Sequence, residues 1–176
     1  MGKPQLDIRP ATSGDVSALS DLAKRTWSDA FGYSVSPDEE AVELEVKRSE
    51  PYFDKALRES TILVADAEGT LLGYVQFGDV GIEGVDARPA DQEVHRIYVE
   101  TELHGRGIGR SLMTAALQHP RLMDATRIFL QVWEKNEPAI RLYESLGFQT
   151  IGTTTFTIGS AEVAEDLVMV LDRARA

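Results

Sequence analysis

The sequence predicts a mixed α/β fold, in which one β-sheet carries helices on both faces. Three observations support this prediction. Short runs rich in β-branched and aromatic residues alternate with longer stretches of helical spacing. Several of the helical stretches follow Ser, Thr, Asp or Asn, which cap helix N-termini. At the centre, residues 92–117 have the pattern of a strand, a glycine loop and a helix.

The order of the elements follows from the same signals. We predict strands at Asp7–Pro10, Thr61–Ala65, Leu71–Gly78, Val94–Val99, Ile128–Val132, Gln149–Phe156 and Leu167–Leu171. We predict helices at Val16–Thr26, Pro37–Arg48, Pro51–Glu59, Ser111–Leu117 and Asn136–Leu146. Ser36 and Glu39 form a capping box, and Gly147 is placed to end the last helix in a left-handed conformation. Residues 66–69 predict the turn of an antiparallel hairpin.

Length and composition indicate a single globular domain over residues 1–176. The apolar fraction is 43% and the charged fraction 27%, which are ordinary values for such a domain. Cysteine is absent, which excludes disulfides, thiolate metal sites and a cysteine nucleophile. The sequence has neither a hydrophobic signal segment at its start nor an apolar run long enough for a bilayer, so a cytoplasmic location with no membrane partner is expected.

The charge balance bears on the kind of partner. With 18 basic and 29 acidic residues, the net charge is −11. A chain this acidic is not expected to bind nucleic acid, whereas it could attract a polycation. Acidic surfaces also simply confer solubility, so charge alone does not decide between these interpretations.

The loop His104–Gly109 is the most informative local motif. Glycine at alternate positions lets the backbone bend its N–H groups toward one point, and the following helix N-terminus adds its own unpaired N–H groups. Together they form a cradle for an anion, most naturally a phosphate. The loop lacks the spacing of a dinucleotide fingerprint and the Lys-Ser/Thr ending of a P-loop, and a flexible glycine cap remains the alternative.

These motifs resemble the GCN5-related N-acetyltransferase (GNAT) superfamily. The resemblance rests on His104-Gly105-Arg106-Gly107-Ile108-Gly109, which departs from the family's Gln/Arg-x-x-Gly-x-Gly/Ala at its first position. It also rests on a later block, in which Asn136, Tyr143 and Gly147-Phe148 match the family pattern. The resemblance extends over nearly the whole chain. Within the superfamily, Arg96-Ile97-Tyr98, residues 132–136 and residues 166–169 are most similar to the PaiA-type spermidine/spermine acetyltransferases.

The resemblance implies a fold, a cofactor and an activity. The fold is a mostly antiparallel sheet whose central parallel strand pair splays apart. The cosubstrate is acetyl-CoA, and the activity is acetyl transfer to a primary amine by direct attack in a ternary complex, with a small polyamine favoured as the acceptor. A protein N-terminal or lysine acetyltransferase and a non-catalytic CoA-binding sensor are the alternatives, and a homodimer stays open.

The resemblance also implies residue roles. The residues expected to bind the cofactor are Ile97, Tyr98, Val99, His104, Gly105, Arg106, Gly107, Ile108, Gly109, Arg110 and Asn136. Tyr143 is the candidate acid, although its helical spacing also suits a core residue. Asn136 would otherwise be a plain helix cap.

The sequence leaves three residues as candidates for the general base. Glu93 and His95 share one face of the central strand, and Glu134 follows the next strand. Each could equally be a solvated charge. On the second helix, Glu39, Glu40 and Glu43 could hold the distal ammonium groups of a polyamine. The three histidines show no metal-ligand spacing, so no metal is expected.

Overall fold

The computed structural model describes residues 6–158 and 161–173, and residues 156–158 and 161–164 by their backbone alone. The strands are β1 (Leu6–Pro10), β2 (Thr61–Ala67), β3 (Thr70–Gly78), β4 (Gln92–Val99), β5 (Arg127–Trp133), β6 (Gln149–Ile158) and β7 (Ala161–Asp172). The helices are α1 (Val16–Phe31), α2 (Pro37–Arg48), α3 (Glu50–Glu59), α4 (Ile108–Leu117), α5 (Pro120–Met123) and α6 (Glu137–Ser145).

The strands form a seven-stranded mixed sheet in the order β1-β2-β3-β4-β5-β7-β6. Strands β1 and β2, β5 and β7, and β6 and β7 pair antiparallel, whereas β4 and β5 pair parallel. The parallel register covers only residues 92–94 against residues 128–130, although β4 continues to Val99 and β5 to Trp133. The predicted fold class, including its parallel strand pair, is confirmed.

The described residues divide into two compact units. One contains the residues up to Gln76 together with Arg96–Leu117. Its core consists of side chains from α1, α3, β2 and β3, among them Leu19, Leu22, Phe53, Val64 and Tyr74, which are all completely buried. Each large apolar side chain buried in this way stabilises the fold by about 1.5–3 kcal/mol.

The second unit contains Phe77–His95 and the residues from Gln118 onward. Ile82, Phe129 and Val168 form a small buried cluster, which joins the loop after β3 to strands β5 and β7. Gly147 has φ of 97°, the left-handed conformation expected after α6. The prediction that the chain is one domain stays a prediction.

Local capping signals predicted the helix starts well. Ser36 Oγ accepts a hydrogen bond from the Glu39 N–H, and the Glu39 carboxylate accepts one from the Ser36 N–H at 3.0 Å. At the β2–β3 turn, Glu68 and Gly69 both have positive φ, as a two-residue hairpin turn requires.

Several boundaries differ from the predictions. Helix α1 continues from Thr26 to Phe31, because Trp27 is completely buried and extends its packed face. The short helix α5 was not predicted. It begins at Pro120, just after α4 ends, and His119 caps it. Strand β7 begins at Ala161 rather than Leu167, because pairing with β6 supplies backbone hydrogen bonds that no local signal reveals.

Helix α2 is not simply a solvated charged helix. Glu43 is 5% exposed and Arg48 3% exposed, and their side chains form an ion pair at 2.8 Å. Lys47 also approaches Glu43, at 3.0 Å. Within the described residues, none of the helices combines the length and the apolar character needed to cross a bilayer.

Candidate active site

The glycine loop leaves several backbone donors without acceptors at the start of α4. Gly105 and Gly107 have φ of 77° and 84°, so both adopt the left-handed conformation that glycine tolerates. Among the described residues, no acceptor is bonded to the N–H groups of Gly107, Ile108 and Gly109. These donors precede the first hydrogen bond of the helix, from the Ser111 N–H to the Gly107 carbonyl at 2.9 Å. The loop therefore presents a group of N–H donors at a helix N-terminus, where the helix dipole favours an anion.

His104 fixes the start of this loop. Its Nε2 lies 2.9 Å from the Val99 carbonyl oxygen, at the end of β4. A carbonyl can only accept, so Nε2 carries the proton in this contact. This contact orients the start of the loop relative to the end of β4. The side chains of Arg106, between the first two loop glycines, and of Arg110, after the last one, are exposed and add positive charge.

The end of β4 directs its main-chain groups to alternate sides. The Glu100 N–H donates to the Leu72 carbonyl at 2.9 Å, toward β3. Because successive residues of a strand direct their N–H and C=O groups to opposite edges, Tyr98 also faces β3, whereas Ile97 and Val99 face the other edge. Of the three predicted main-chain contacts, Ile97 and Val99 are therefore the ones placed to reach a ligand.

Glu93 is a buried carboxylate near the start of β4. It is 7% exposed, and its Oε2 accepts a hydrogen bond from the Gly81 N–H at 2.7 Å. Burial raises its pKa above the ordinary value, and this effect outweighs the Gly81 hydrogen bond and the nearby His95. A carboxylate shifted in this direction is better matched to accepting a proton near neutral pH.

His95 and Glu134 are placed differently from Glu93. His95 is partly exposed, and its Nε2 lies 2.8 Å from the Asp79 carbonyl oxygen, which leaves Nδ1 as the nitrogen with a lone pair. The Glu134 side chain is exposed at the end of β5. Of the three candidate bases, Glu93 alone is a buried carboxylate.

Asn136 and Tyr143 lie on α6. The Asn136 Oδ1 caps the helix by accepting a hydrogen bond from the Ala139 N–H at 3.3 Å. The Tyr143 side chain is 5% exposed, and its ring centroid lies 6.1 Å from that of Phe148. Both residues thus perform the structural role that spacing suggested, which leaves the Asn136 amide N–H and the Tyr143 hydroxyl as the groups with a predicted functional role.

The three glutamates of α2 have internal partners. Glu39 belongs to the capping box, the Glu40 carboxylate accepts a hydrogen bond from Ser28, and Glu43 is paired with Arg48 and Lys47. Of the three, only the Glu43 charge is balanced by cationic side chains, because the donors to Glu39 and Glu40 are neutral serine groups. The contact of these glutamates with a polyamine stays a prediction.

Sequence reasoning missed Asp166 as a functional candidate. In the sequence it counted only as part of residues 166–169, just before the predicted strand Leu167–Leu171, whereas the structure makes it a half-buried carboxylate on β7. Burial raises its pKa to about 6. An acidic residue directly before the apolar run Leu167–Leu171 was the available signal. Among the described residues, no group of three or more metal-binding side chains is present.

Comparison with known proteins identifies the family. Residues 18–148 match the model of the acetyltransferase (GNAT) family. The chain belongs to this family. Its members use acetyl-CoA as acetyl donor, so the implied enzyme class and cosubstrate are confirmed.

Relatives and solved structures agree with this assignment. An uncharacterized N-acetyltransferase of Mycobacterium tuberculosis is 32% identical over 158 residues, covering 89% of this chain and 96% of the relative. A spermine/spermidine N(1)-acetyltransferase of Bacillus subtilis is 32% identical over 90 residues, covering 51% and 59%. A mycothiol acetyltransferase of Thermobispora bispora is 37% identical over 106 residues, covering 60% and 34%.

The solved structures show the fold. The PaiA N-acetyltransferase of Thermoplasma acidophilum, in complex with coenzyme A, superposes with a TM-score of 0.75 at 20% identity, covering 96% of this chain and 99% of that one. A ribosomal-protein-alanine N-acetyltransferase of Brucella melitensis gives a TM-score of 0.73 at 23% identity, covering 94% and 99%.

Proposed function

We propose that this chain transfers an acetyl group from acetyl-CoA to a primary amine by direct attack in a ternary complex, with a small polyamine as the favoured acceptor. The observation that carries the proposal is the group of N–H donors without acceptors at the start of α4. Such donors bind phosphate oxygens, and coenzyme A carries a pyrophosphate.

The residues on both sides of the loop suit the rest of the cofactor. In this proposal the N–H groups of Gly107, Ile108 and Gly109 hold the pyrophosphate, and Arg106 and Arg110 balance its charge. The main-chain groups of the last β4 residues bind the pantetheine arm, as does the Asn136 amide N–H. When bound, acetyl-CoA supplies the acetyl group as an activated thioester.

Glu93 is the proposed general base. An alkylammonium with the reference pKa of lysine, near 10.4, costs about 4.6 kcal/mol to deprotonate at pH 7. The Glu93 carboxylate would take this proton, directly or through a water molecule, and its raised pKa makes it a stronger base than an exposed carboxylate. His95, through Nδ1, is the second candidate. The Tyr143 hydroxyl is proposed to stabilise the departing thiolate by a hydrogen bond, because complete proton transfer from a phenol would be uphill by about 2 kcal/mol.

Base variants test this assignment. Glu93→Gln should remove the rise of kcat/KM with increasing pH, because the titrating group is lost. Glu83→Gln is the matched control, since it makes the same chemical change at an exposed position with no predicted role. An unchanged pH profile in the Glu93 variant would transfer the role to His95 or Glu134.

The acceptor is best tested by a panel of amines. Polyamines, aminoglycosides, amino acids and peptides should be compared by thiol release, with acetylated products identified by mass spectrometry. A net charge of −11 and the similarity to the spermine/spermidine acetyltransferase favour a polyamine, whereas the similarity to a mycothiol acetyltransferase is a reason to keep the panel broad. Peptide acetylation without acetylspermidine at millimolar spermidine would favour the peptide alternative. Turnover of any amine would exclude the alternative that the chain is a non-catalytic CoA-binding sensor.

Salt dependence gives a second test of the acceptor. Attraction between distal ammonium groups and protein carboxylates is screened, with a Debye length of about 8 Å at 0.15 M ionic strength. The KM for spermidine should therefore rise with salt, while the KM for an amine with an uncharged tail should change much less. Equal salt responses for the two amines would contradict a polyamine site.

A further inference from the structure

Strand register places Asp166 on the same sheet face as Glu93. Asp166 lies opposite Trp133 across the antiparallel β5–β7 pair, and Glu93 lies opposite Phe129 across the parallel β4–β5 pair. Residues directly opposite each other share a face, and so do alternate residues of one strand. One face therefore carries Glu93, Phe129, Gln131, Trp133 and Asp166.

This face has a covered end and an open end. At the covered end, Ile82 from the loop after β3 packs on Phe129 and Val168, with three further valines around them. At the open end, Gln131 is exposed, and Trp133 and Asp166 are partly exposed. A ligand can enter from the open end, and Glu93 lies toward the other end of the face, beside Gly81 of the loop.

Asp166 is a negative charge without a counterion. Within the described part of the chain, it takes part in no side-chain hydrogen bond or ion pair. Its half-buried position is unfavourable for a charge, and burial raises its pKa to about 6. The Trp133 side chain is its direct cross-strand neighbour, at a Cβ separation of roughly 5 Å. A carboxylate beside an aromatic ring combines the two groups that attract an alkylammonium.

We propose that Asp166, beside Trp133, binds a distal ammonium group of the acceptor and selects amines with two or more charged nitrogens. The proposal rests on the proposed amine acetyltransferase activity. Asp166 and Glu93 are separated by two strand spacings and four residues along β5, which gives about 16 Å between their Cα atoms. The two carboxylates cannot act on one nitrogen, but a linear diamine or polyamine can reach toward both.

Matched amines test the proposal. Linear diamines of increasing length should be compared with monoamines of equal length, using wild-type enzyme, Asp166→Asn and Glu165→Gln. Glu165 is the neighbouring residue on β7, points to the opposite face and is exposed, so its substitution controls for the loss of one charge. For Asp166→Asn we expect the KM for diamines and spermidine to rise about ten- to a hundredfold, the range expected for a charge-assisted contact. The KM values for monoamines and acetyl-CoA, and all values for Glu165→Gln, should stay within about twofold.

Binding and rescue complete the experiment. Asp166→Glu keeps the charge and should retain a preference for diamines, and calorimetric titration with spermidine should show the same order of affinities without turnover. Asp166→Ser is the second neutral variant if Asp166→Asn does not fold.

Three outcomes would overturn the proposal. A diamine-to-monoamine ratio of KM values that is equal in the wild type and the neutral variants would exclude the role of Asp166, even with active enzyme. Equal losses with monoamines would place Asp166 at the reacting nitrogen and also overturn the proposal. If the wild type acetylates no amine, the proposed function fails, and this inference with it.

Discussion

Replacing Gly107 with alanine should weaken cofactor binding through backbone strain alone. Gly107 has φ of 84°, and a methyl group built on its Cα meets no atom within 4 Å. No steric clash is therefore expected, and the cost is that of holding an alanine in the left-handed region, about 1–2 kcal/mol. If the loop relaxes in the free enzyme, cofactor binding must restore the strained conformation. The dissociation constant for coenzyme A should then rise about five- to thirtyfold.

Gly69 provides a matched control for this prediction. It has φ of 87° in the β2–β3 turn, and its methyl group would likewise meet nothing within 4 Å. Gly69→Ala should lose similar stability in urea unfolding, while its affinity for coenzyme A, measured by calorimetry, stays unchanged. Gly107→Asp adds a negative charge beside the phosphates and should abolish binding, whereas Gly69→Asp should not.

Two results would refute this reasoning. An affinity within twofold of the wild type in both Gly107→Ala and Gly107→Asp, together with the expected stability loss in Gly69→Ala, would mean that the loop does not hold the cofactor. Equal affinity losses in both alanine variants would mean that affinity follows global stability rather than the conformation of the loop.

Three further substitutions test the roles of packing and charge. Tyr143→Phe should keep its unfolding midpoint and lower kcat by about ten- to a thousandfold, because the buried ring remains and only the hydroxyl is lost; a wild-type kcat would leave Tyr143 a core residue. Gly73→Ala should lose about 1–3 kcal/mol in urea unfolding, because its methyl group would lie 2.7 Å from a β4 carbonyl oxygen, whereas Gly152→Ala, with open space around it, should be nearly neutral. Asp15→Asn should lose about 1 kcal/mol at pH 7, since it breaks the ion pair with Arg9. The Arg9 hydrogen bond lowers the folded-state pKa of Asp15 from 3.8 to about 2, so this contribution is present above pH 4 and should disappear as the pH falls toward 2.

Elements with local signals were predictable from the sequence. The Ser36 capping box, the Gly69 turn and the left-handed Gly147 each depend on residues within a few positions, so their geometry follows from the chain alone. The glycine loop before α4 belongs to the same group. Its unpaired N–H groups could be inferred because they exist at a helix N-terminus whatever the tertiary context.

Other features depend on residues distant in sequence. Glu43 and Arg48 are polar by composition but buried by packing, and the length of β7 is set by its partner β6. Asp166 became a candidate only when the strand register placed it on the face that carries Glu93. Likewise, the direction of the main-chain groups of Tyr98 followed from a hydrogen bond between Glu100 and Leu72. Periodicity reveals which side chains share a face, but not which strand supplies the neighbour.

The contact between His104 and the Val99 carbonyl holds the glycine loop at a set distance from the end of β4. It fixes where the glycine loop begins relative to where β4 ends, so the protein sets the span between the phosphate cradle and the strand end. A flexible ligand must match this span with its own extended length. If the loop holds the pyrophosphate as proposed, coenzyme A analogues with a shortened or lengthened pantetheine arm should keep their phosphate contacts but bring the acyl group to the wrong residue of β4. The fixed span would then select for the length of the carrier, separately from any selection for the acceptor.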